Sequence, residues 1–526
     1  MQTAEFLILL LISLAGFGLV ARRLQVPEPI VLVLGGLLVS LLPGLPSVEL
    51  QPDYVFLIVL PPLLYAQAWF TSWKDFCDQL RPITYLAVGL VLFTASAVAF
   101  AAHALMPELP LAAAFVLGAI VSPPDAVAAS AIAQRLHLPR RMVTVLEGES
   151  LVNDATGLVA YKFAVIAVLT GGFSVGQATS GFILVVLGGV GVGLVVGWSF
   201  AWLLRRIRDD LIDIVLSLVA PYAAYLGAER LHFSGVLATV TAGIYLGALS
   251  PDLLSASARL TGTAFWNTLI FLLNGVVFML IGLQLPQVIR NLHGHTWGTL
   301  IGSAALIGAV VVLTRLLWVF SGDYVLRWWR RKARGYEPKA SWREVTVVAW
   351  CGMRGVVSLA AALAVPHLLP SGTEFPERDL ILFFTFAVIL LTLVGQGLSL
   401  PALIRRLRVG THGAPDEGER EARRSSARAA LERIEQVAAE ERIADEARLA
   451  VASTYEERLH HLSDELAEAL GWSPLRQRSV EGRRLRRAAL AAERQHLIAL
   501  HRQHRLNKEL LHKLERELDL EEARLG

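Results

Sequence analysis

Cysteine is almost absent from this chain of 526 residues. The two cysteines, Cys77 and Cys351, lie far apart, and neither belongs to a metal-binding spacing. A disulfide framework and a cysteine zinc site are therefore excluded. The sequence also lacks a phosphate-binding loop, a dinucleotide fingerprint and a nucleophile with a recognisable base, so we expect neither an enzyme nor a bound cofactor.

Charge is scarce and apolar residues dominate. Hydrophobic residues make up 54% of the chain and charged residues 18%, and the mean hydropathy is +0.53. A soluble protein of this size is less apolar, so the composition predicts an integral membrane protein. The N-terminal run EFLILLLISLAGFGLV has no basic segment before it and no clear cleavage site after it, which favours a retained first span over a signal peptide.

The apolar windows predict an all-α polytopic membrane protein with about thirteen transmembrane helices. The windows lie near 4–20, 29–42, 54–68, 82–104, 111–133, 142–169, 180–204, 211–229, 233–249, 263–285, 297–320, 345–369 and 379–403. Loops after odd-numbered windows carry 21 Lys and Arg residues, whereas loops after even-numbered windows carry three. This asymmetry predicts an outside N-terminus and a cytoplasmic C-terminus in the cytoplasmic (inner) membrane.

Two of these windows carry helix breakers at their centres. The fifth holds SPPD at residues 122–125, and the twelfth holds GMRG at residues 352–355. Adjacent prolines remove backbone donors and clash with the preceding turn, so the fifth helix is expected to break. A pair of broken helices in the two halves of a chain is typical of the substrate site of a secondary transporter with inverted repeats. No residue-by-residue repeat is visible, so the symmetry rests on the breaks alone.

The sixth window, LEGESLVNDATGLVAYKF, carries a polar stripe. At helical spacing Glu147, Ser150 and Asp154 share one face, and Glu149 and Asn153 share the neighbouring face. Asp154 lies about 20 Å along the helix from its basic end, near the middle of the bilayer. An ionised carboxylate costs about 2.5 kcal/mol or more at that depth, so Asp154 is a candidate functional residue.

An all-oxygen site for Na+ is predicted from Asp154, Asp125, Ser150 and the carbonyls freed by the break, because such oxygens suit a small hard cation. At this depth the carboxylate needs a proton or a cation to neutralise it, and the two would compete for the same oxygens. That competition is the core of an exchange mechanism. A structural carboxylate, satisfied by neighbouring hydroxyl groups, is the alternative.

Three other charges are predicted within the membrane. They are Glu149, Arg315 and Arg354, and a lone buried arginine is untenable. We therefore expect Glu149 to form a structural ion bridge with one of the two arginines, and the sequence does not decide which one.

Three acids, Asp209, Asp210 and Asp213, begin the eighth window. A solvated helix N-terminus explains such a cluster, because acidic side chains there interact favourably with the helix dipole. Attraction of cations toward the membrane part is the alternative.

The composition changes near residue 410. Residues 411–526 hold 21 basic and 23 acidic residues and are rich in Ala, Glu, Arg and Leu at helical spacing. We therefore predict a transmembrane domain at 1–410 and a cytoplasmic helical tail at 411–526. The tail is expected to be a solvated hairpin or coiled coil, or else a regulatory or dimer-linking domain.

With these residues considered, the sequence closely resembles the sodium/proton exchangers of the monovalent cation:proton antiporter superfamily, in the branch that holds bacterial NhaP-like and animal NHE-type proteins. The resemblance covers nearly the whole membrane part. It rests on LPPLLYAQAWF (60–70), SPPDAVAASAI (122–132), LEGESLVND (146–154), YAAYLGAERLHFSGVLATVTAGI (222–244), FLLNGVVFMLIGLQL (271–285) and GMRGVVSLA (352–360).

The resemblance implies an NhaA-like antiporter fold of thirteen spans, a homodimer, and a core domain that moves like an elevator. By the motif, Asp154 would be alternately protonated and ion-bound, with Asn153 beside it, while Asp125 and Ser150 would complete the site and Glu149 would make the ion bridge. Relatives with Asn-Asp at this dipeptide are generally electroneutral and exchange one cation for one proton.

The sequence departs from the family pattern at two places. The usual Thr-Asp-Pro triplet of the fifth span is replaced by Pro124-Asp125-Ala126, which removes a hydroxyl group but leaves the Pro124 backbone carbonyl as a candidate ligand. The third-span acid of many relatives aligns with Ala66, which has Gln67 beside it. One carboxylate of the usual site is thus missing.

The function predicted from these residues and from the resemblance is antiport of Na+, or else of Li+ or K+, against H+ in pH, salt or volume homeostasis. The expected partners are monovalent cations, protons, the lipid bilayer and a second copy of the chain, with no nucleic acid and no cofactor other than the transported ions. The alternatives are a K+/H+ antiporter on the same fold and a non-transporting cation or pH sensor that signals through the tail.

Overall fold

A computed structural model of the chain describes residues 3–41, 55–171, 175–207, 209–292, 296–332, 341–369, 372–409 and 417–441, together with scattered residues between 445 and 518. These residues form helices, with one isolated bridge between Leu368 and Glu374 and no strand among them. The prediction of an all-α membrane protein is confirmed. The chain forms two compact units, Met1–Thr411 and His412–Gly526.

The first unit contains seventeen of the helices that are numbered here. The first eight are α1 Thr3–Leu24, α2 Glu28–Ser40, α3 Leu60–Phe70, α4 Trp73–Asp78, α5 Leu80–Thr84, α6 Val91–Leu105, α7 Leu111–Val121 and α8 Ala126–Arg135. Short π-helical segments, Val55–Val59 and Tyr85–Leu90, precede α3 and α6. The others are α9 Arg140–Thr170, α10 Val175–Ile207, α11 Asp210–Arg230, α12 Gly235–Leu253, α13 Ala256–Asn291, α14 Trp297–Lys332, α15 Trp342–Trp350, α16 Val356–Leu363 and α17 Arg378–Leu407.

Every predicted apolar window contains helix in the part of the chain that the structure describes. By length and composition, nine helical segments of that part can cross a membrane, and Glu28–Ser40 and Val55–Phe70 are shorter apolar helices. The exact number of thirteen spans therefore stays a prediction.

Both predicted helix breaks are confirmed. Residues 122–125 separate α7 from α8, and residues 351–355 separate α15 from α16. The breaks also touch each other, because the Asp125 backbone N–H donates to the Met353 carbonyl at 2.7 Å. Two stretches of irregular backbone thus satisfy part of each other's hydrogen-bonding capacity inside the membrane part, where water is scarce.

Small residues allow close packing between α2 and α13. A Cβ atom at Gly36 would collide with the Met279 carbonyl, and one at Gly282 would collide with the Val33 carbonyl. Such backbone contact is typical of membrane helices, in which van der Waals packing replaces much of the hydrophobic driving force.

Large apolar side chains cover the outside of the first unit. On α10, for example, Leu184, Leu187, Val195 and Trp198 are all more than half exposed. An extended apolar surface of this kind fits contact with lipid tails. Polar and charged side chains are found inside instead, which places the candidate site within the helix bundle.

The second unit is described chiefly by one helix, α18 Glu417–Glu441. This helix lies within the tail predicted to be helical at 411–526, and most of the remaining tail lies outside the described residues.

Candidate ion-binding site

The polar stripe lies on α9, which runs unbroken from Arg140 to Thr170. Its key side chains are buried, with exposures of 1% for Glu149, 3% for Ser150, 0% for Asn153 and 6% for Asp154. Ser150 and Asn153 contact the break between α7 and α8 and the first residue of α8, whereas Glu149 contacts Arg315 on α14.

Asn153 binds the break directly. Its Nδ2 donates to the Pro124 carbonyl at 2.8 Å, whereas its Oδ1 is buried and has no hydrogen-bond partner among the described residues. A carbonyl of an interrupted helix needs a donor, and the Asn153 amide supplies one. The second lone pair of the Pro124 oxygen stays available to a cation.

Asp125 is held by two helix N-termini. Its Oδ1 accepts from the Val127 N–H at 2.8 Å, and its Oδ2 accepts from the Val356 N–H at 3.4 Å. These N–H groups belong to the first turns of α8 and α16, whose positive dipole ends stabilise a carboxylate. The negative charge of Asp125 is therefore partly balanced by the protein.

Gly355 leaves the space that the Asp125 carboxylate occupies. A Cβ atom at Gly355 would collide with Asp125 Oδ2. The sequence marked Gly355 as part of a helix break, but it did not show that glycine is needed here for close approach to an acid.

Ser150 connects α9 with the start of α8. Its Oγ accepts from the Ala126 N–H at 3.3 Å, next to the bonds made by Asp125. The hydroxyl oxygen is buried and retains a lone pair, so it can contribute to an oxygen site for a cation.

Asp154 differs from Asp125 in having no hydrogen-bond donor. Within the described part of the chain, no group donates a hydrogen bond to its carboxylate, although the residue is only 6% exposed. It lies within electrostatic range of Asp125. A buried carboxylate without a donor needs a proton or a cation, and Asp154 is thus the group best suited to exchange one for the other.

Glu149 forms its ion pair with Arg315. The pair is bidentate, with Nη1 2.5 Å from Oε1 and Nη2 2.9 Å from Oε2, and both side chains are almost completely buried. Arg315 Nη2 also donates to the Val348 carbonyl at 3.2 Å. The contact joins α9 to α14 and α15, so the pair acts as a brace behind the polar stripe.

Arg354 makes no hydrogen bond to Glu149 in the described structure and caps a broken helix instead. Its guanidinium donates to the carbonyls of Val121 at 2.9 Å, Ser122 at 3.2 Å, and Gly352. Cationic donors at a helix C-terminus satisfy free carbonyls and interact favourably with the dipole. Arg354 thereby fixes the end of α7 that leads into the site.

Thr392 is a further contributor that sequence reasoning missed. Its Oγ1 accepts from the Arg354 backbone N–H at 3.2 Å, inside the second break. A single threonine in a long apolar helix such as α17 carries no distinctive pattern, so only the packing of α17 against the break reveals this contact.

The site therefore consists of two interrupted helices, α7–α8 and α15–α16, whose ends meet beside the buried carboxylate of Asp154 and the partly buried carboxylate of Asp125. Discontinuous helices with dipole ends and free carbonyls at one place are how secondary transporters hold small ions within the bilayer. The fold and the site define an ion-coupled membrane transporter. The family described as "Sodium/hydrogen exchanger, transmembrane" matches residues 7–406, and the chain belongs to it.

Curated relatives agree with this membership. An uncharacterized Na+/H+ exchanger of Mycobacterium tuberculosis is 37% identical over 96% of this chain and 93% of its own length. An uncharacterized Na+/H+ exchanger of Escherichia coli is 34% identical over 98% of this chain and 97% of its own length. A sodium, potassium, lithium and rubidium/H+ antiporter of Bacillus subtilis is 35% identical over 75% of this chain and 61% of its own length. The predicted resemblance to sodium/proton exchangers is confirmed.

The fold is that of a solved antiporter. The sodium proton antiporter MjNhaP1 from Methanocaldococcus jannaschii superposes with a TM-score of 0.63 at 22% identity, covering 78% of this chain and 99% of that one. At this identity the likeness supports the architecture alone.

Proposed function

We propose that this chain exchanges Na+ for H+ across the cytoplasmic membrane and that Asp154 carries either ion in turn. The observation that supports this most strongly is the contrast between two carboxylates: the partly buried Asp125 is bonded to two helix N-termini, whereas the buried Asp154 receives no hydrogen bond from the described residues. Because the Asp154 carboxylate accepts no hydrogen bond from these residues, its charge must be neutralised by a bound proton or cation.

Proton and cation compete in this mechanism for the same oxygen atoms. When Asp154 is protonated, the carboxyl group is neutral and the site has little attraction for Na+. When Asp154 loses its proton, its oxygens bind Na+ together with the oxygens of Asp125, Ser150 and the Pro124 carbonyl, because hard cations prefer oxygen ligands. Each exposure of the site to one side of the membrane therefore ends with one of the two ions bound.

The exchange is electroneutral in this proposal, because only one carboxylate changes its state. Asp125 keeps its charge in both states, balanced by the N-termini of α8 and α16. Protonated Asp154 and Na+-bound Asp154 then have the same net charge. An empty site would carry the unneutralised charge of Asp154 beside the charge of Asp125 in a low-dielectric environment, so movement of the empty site is disfavoured and the two fluxes are coupled.

Potassium is the second candidate substrate. Ala66, at the place where many relatives carry an acid, is completely buried and supplies no oxygen from its side chain. Fewer charged ligands weaken the preference for the smallest cations, since selectivity depends on ligand number and cavity size. The Bacillus subtilis relative, named for sodium, potassium, lithium and rubidium, makes a broad preference worth testing.

Assembly and orientation are part of the proposal. We infer a homodimer from the family resemblance, and an outside N-terminus with a cytoplasmic C-terminus from the distribution of basic loops. In this proposal the transmembrane domain comprises residues 1–410, and the tail at residues 411–526 lies on the cytoplasmic side.

Proton movement in everted vesicles tests the function. Na+, Li+ and K+ are added separately to vesicles that contain the wild type, Asp154→Asn, or Glu108→Gln, which changes an exposed acid in the α6–α7 loop. We expect cation-driven proton release from the vesicles with the wild type and Glu108→Gln, and none with Asp154→Asn at equal amounts of protein. Full exchange by Asp154→Asn would refute the mechanism, and no exchange by the wild type with any cation would refute the function.

A further inference from the structure

A second polar cavity lies at the ends of α3, α11, α12 and α13. Its volume is about 260 Å³, and its polar and aromatic lining includes Trp69, Asp213, Ser217, Ser250, Arg259 and Trp266. None of the residues of the two helix breaks lines it. These helix ends adjoin loops with basic residues. The cavity therefore lies at the membrane surface that the distribution of Lys and Arg predicts to face the cytoplasm.

Asp213 has no partner in this cavity. The residue is 4% exposed, and its Oδ1 is buried without a hydrogen bond from any described group. The nearby Arg259 does not neutralise it, because its Nη1 donates to the carbonyls of Leu254 at 2.5 Å and Pro251 at 3.4 Å, and neither of these described bonds goes to Asp213. An unpaired buried carboxylate is costly, which points to a missing cationic partner.

The two neighbouring acids at the start of α11 do accept hydrogen bonds, so the lack of a donor is particular to Asp213. Asp209 caps α11, with its Oδ1 accepting from the N–H groups of Leu211 and Ile212 at 3.0 Å. Asp210 accepts from the Ser255 hydroxyl at 2.7 Å. Asp213 is thus the one acid of the three that lines the cavity without a bond from the described residues.

The rest of the lining favours an organic cation. At about 260 Å³ the cavity is spacious for a metal ion stripped of its water. Among the described residues there is also no group of three His, Cys, Asp or Glu side chains that could hold a metal. Trp69 and Trp266 supply aromatic surface, and tryptophan attracts ammonium groups through its π face.

The hydroxyl groups of the cavity are suited to the same ligand. Ser217 accepts from Trp266 Nε1 at 3.1 Å and donates to the Ile214 carbonyl at 2.7 Å, so its oxygen is fixed in place and retains a lone pair. Arg259 also lines the cavity, and its remaining N–H groups are suited to an anionic group attached to the ammonium. Zwitterions that combine an ammonium and a phosphate have this arrangement of charges.

We propose that this cavity, hereafter the Asp213 pocket, binds an organic ammonium group. The ammonium donates to the Asp213 carboxylate and lies against Trp69 and Trp266. Two sources supply this chemistry at a membrane interface: the headgroup of an ethanolamine phospholipid and a free small amine.

Thermal unfolding of the full-length protein in detergent tests the proposal without a transport measurement. Free ethanolamine and phosphatidylethanolamine are titrated separately, with NaCl and phosphatidylglycerol as comparison ligands, against the wild type, Asp213→Asn and Asp210→Asn. Asp210→Asn is the matched control, because Asp210 lies in the same helical turn but is only partly buried and does not line the pocket. A ligand that binds only the folded protein raises Tm in a saturable way.

We expect an ethanolamine compound to raise the Tm of the wild type and of Asp210→Asn, and the half-saturating concentration to rise at least about tenfold in Asp213→Asn. A response to the phospholipid at much lower concentration than to free ethanolamine identifies the lipid as the source, and comparable responses identify a free amine. Trp69→Leu, which keeps the carboxylate, should weaken binding as well, and it replaces Asp213→Asn if that variant does not fold.

The proposal is overturned by any of three results. The wild type shows no saturable response to either ethanolamine compound, Asp213→Asn responds like the wild type, or NaCl gives the same Asp213-dependent shift at the same concentration. The last result would mean that the pocket holds an inorganic cation.

Discussion

Asn153 donates its side-chain amide to the Pro124 carbonyl at 2.8 Å, across the contact between α9 and the first helix break. The residue next to the candidate ion carrier is thereby tied to the backbone that two prolines interrupt. This bond fixes the distance between Asp154 on α9 and Asp125 at the break. It also gives Asn153 a role that an apolar side chain cannot fill, because the role requires a donor.

Replacing Asn153 with alanine should therefore weaken both structure and exchange. The Pro124 carbonyl would be buried without its donor, at a cost of about 1–3 kcal/mol in the free energy of unfolding. Unfolding of the purified variant measures this cost, and proton movement in vesicles measures exchange. Asn153→Gln keeps the amide donor on a longer side chain, so it should lose less stability and less exchange than Asn153→Ala. A fully stable and active Asn153→Ala would show that the bond has no such role.

Asn153→Asp should change the charge moved in each cycle. The variant adds a second carboxylate beside Asp154, so a further group can exchange its proton within the same site. We expect exchange that responds to an imposed membrane potential, whereas the wild type should not respond. The measurement compares initial rates in K+-free proteoliposomes with and without a diffusion potential set by a permeant anion, because K+ is itself a candidate substrate. Potential-dependent exchange by the wild type would contradict a single titrating carboxylate.

The sequence predicted some of these features because they depend on local chemistry. The prolines at 123 and 124 predicted the first break, since the loss of donors is a property of the residues themselves. Helical periodicity placed Ser150 and Asp154 on one face of α9. The choice of Arg315 over Arg354 as the partner of Glu149 could not be predicted, because it depends on packing between segments 166 residues apart. The contact of Gly355 with Asp125 is long-range in the same way.

Gly355→Ala should disrupt the site through Asp125. The new methyl group would occupy the place of the carboxylate, so Asp125 would lose its bond to the Val356 N–H or the second break would shift. We expect exchange to fall at least about tenfold, as misplacement of site groups by about 1 Å has large effects on rate. Gly395→Ala is the control, since a Cβ at that glycine of α17 meets no atom within 4 Å. Equal activity of the two variants would rule out this steric role.

Breaking the Glu149 ion pair from either side should be more damaging than removing both charges. Glu149→Gln or Arg315→Met leaves one buried charge without its partner, which costs about 3–5 kcal/mol, whereas the double variant leaves neither. We expect Tm to be lowest in the single variants and partly restored in the double variant, as a double-mutant cycle can show. Additive losses would mean that the two side chains stabilise the fold independently.

The dependence of exchange on pH should report a single competing proton. Where Asp154 is mostly protonated, lowering the pH by one unit reduces its ionised fraction about tenfold, so the apparent KM for Na+ should rise about tenfold while the maximal rate stays nearly constant. Initial rates at several Na+ concentrations and pH values measure this slope. A hundredfold change per unit would require two protons to compete with the cation and would exclude exchange carried by Asp154 alone. A KM that does not change with pH would separate the cation from the proton altogether, and Asp154 could then not be their common ligand.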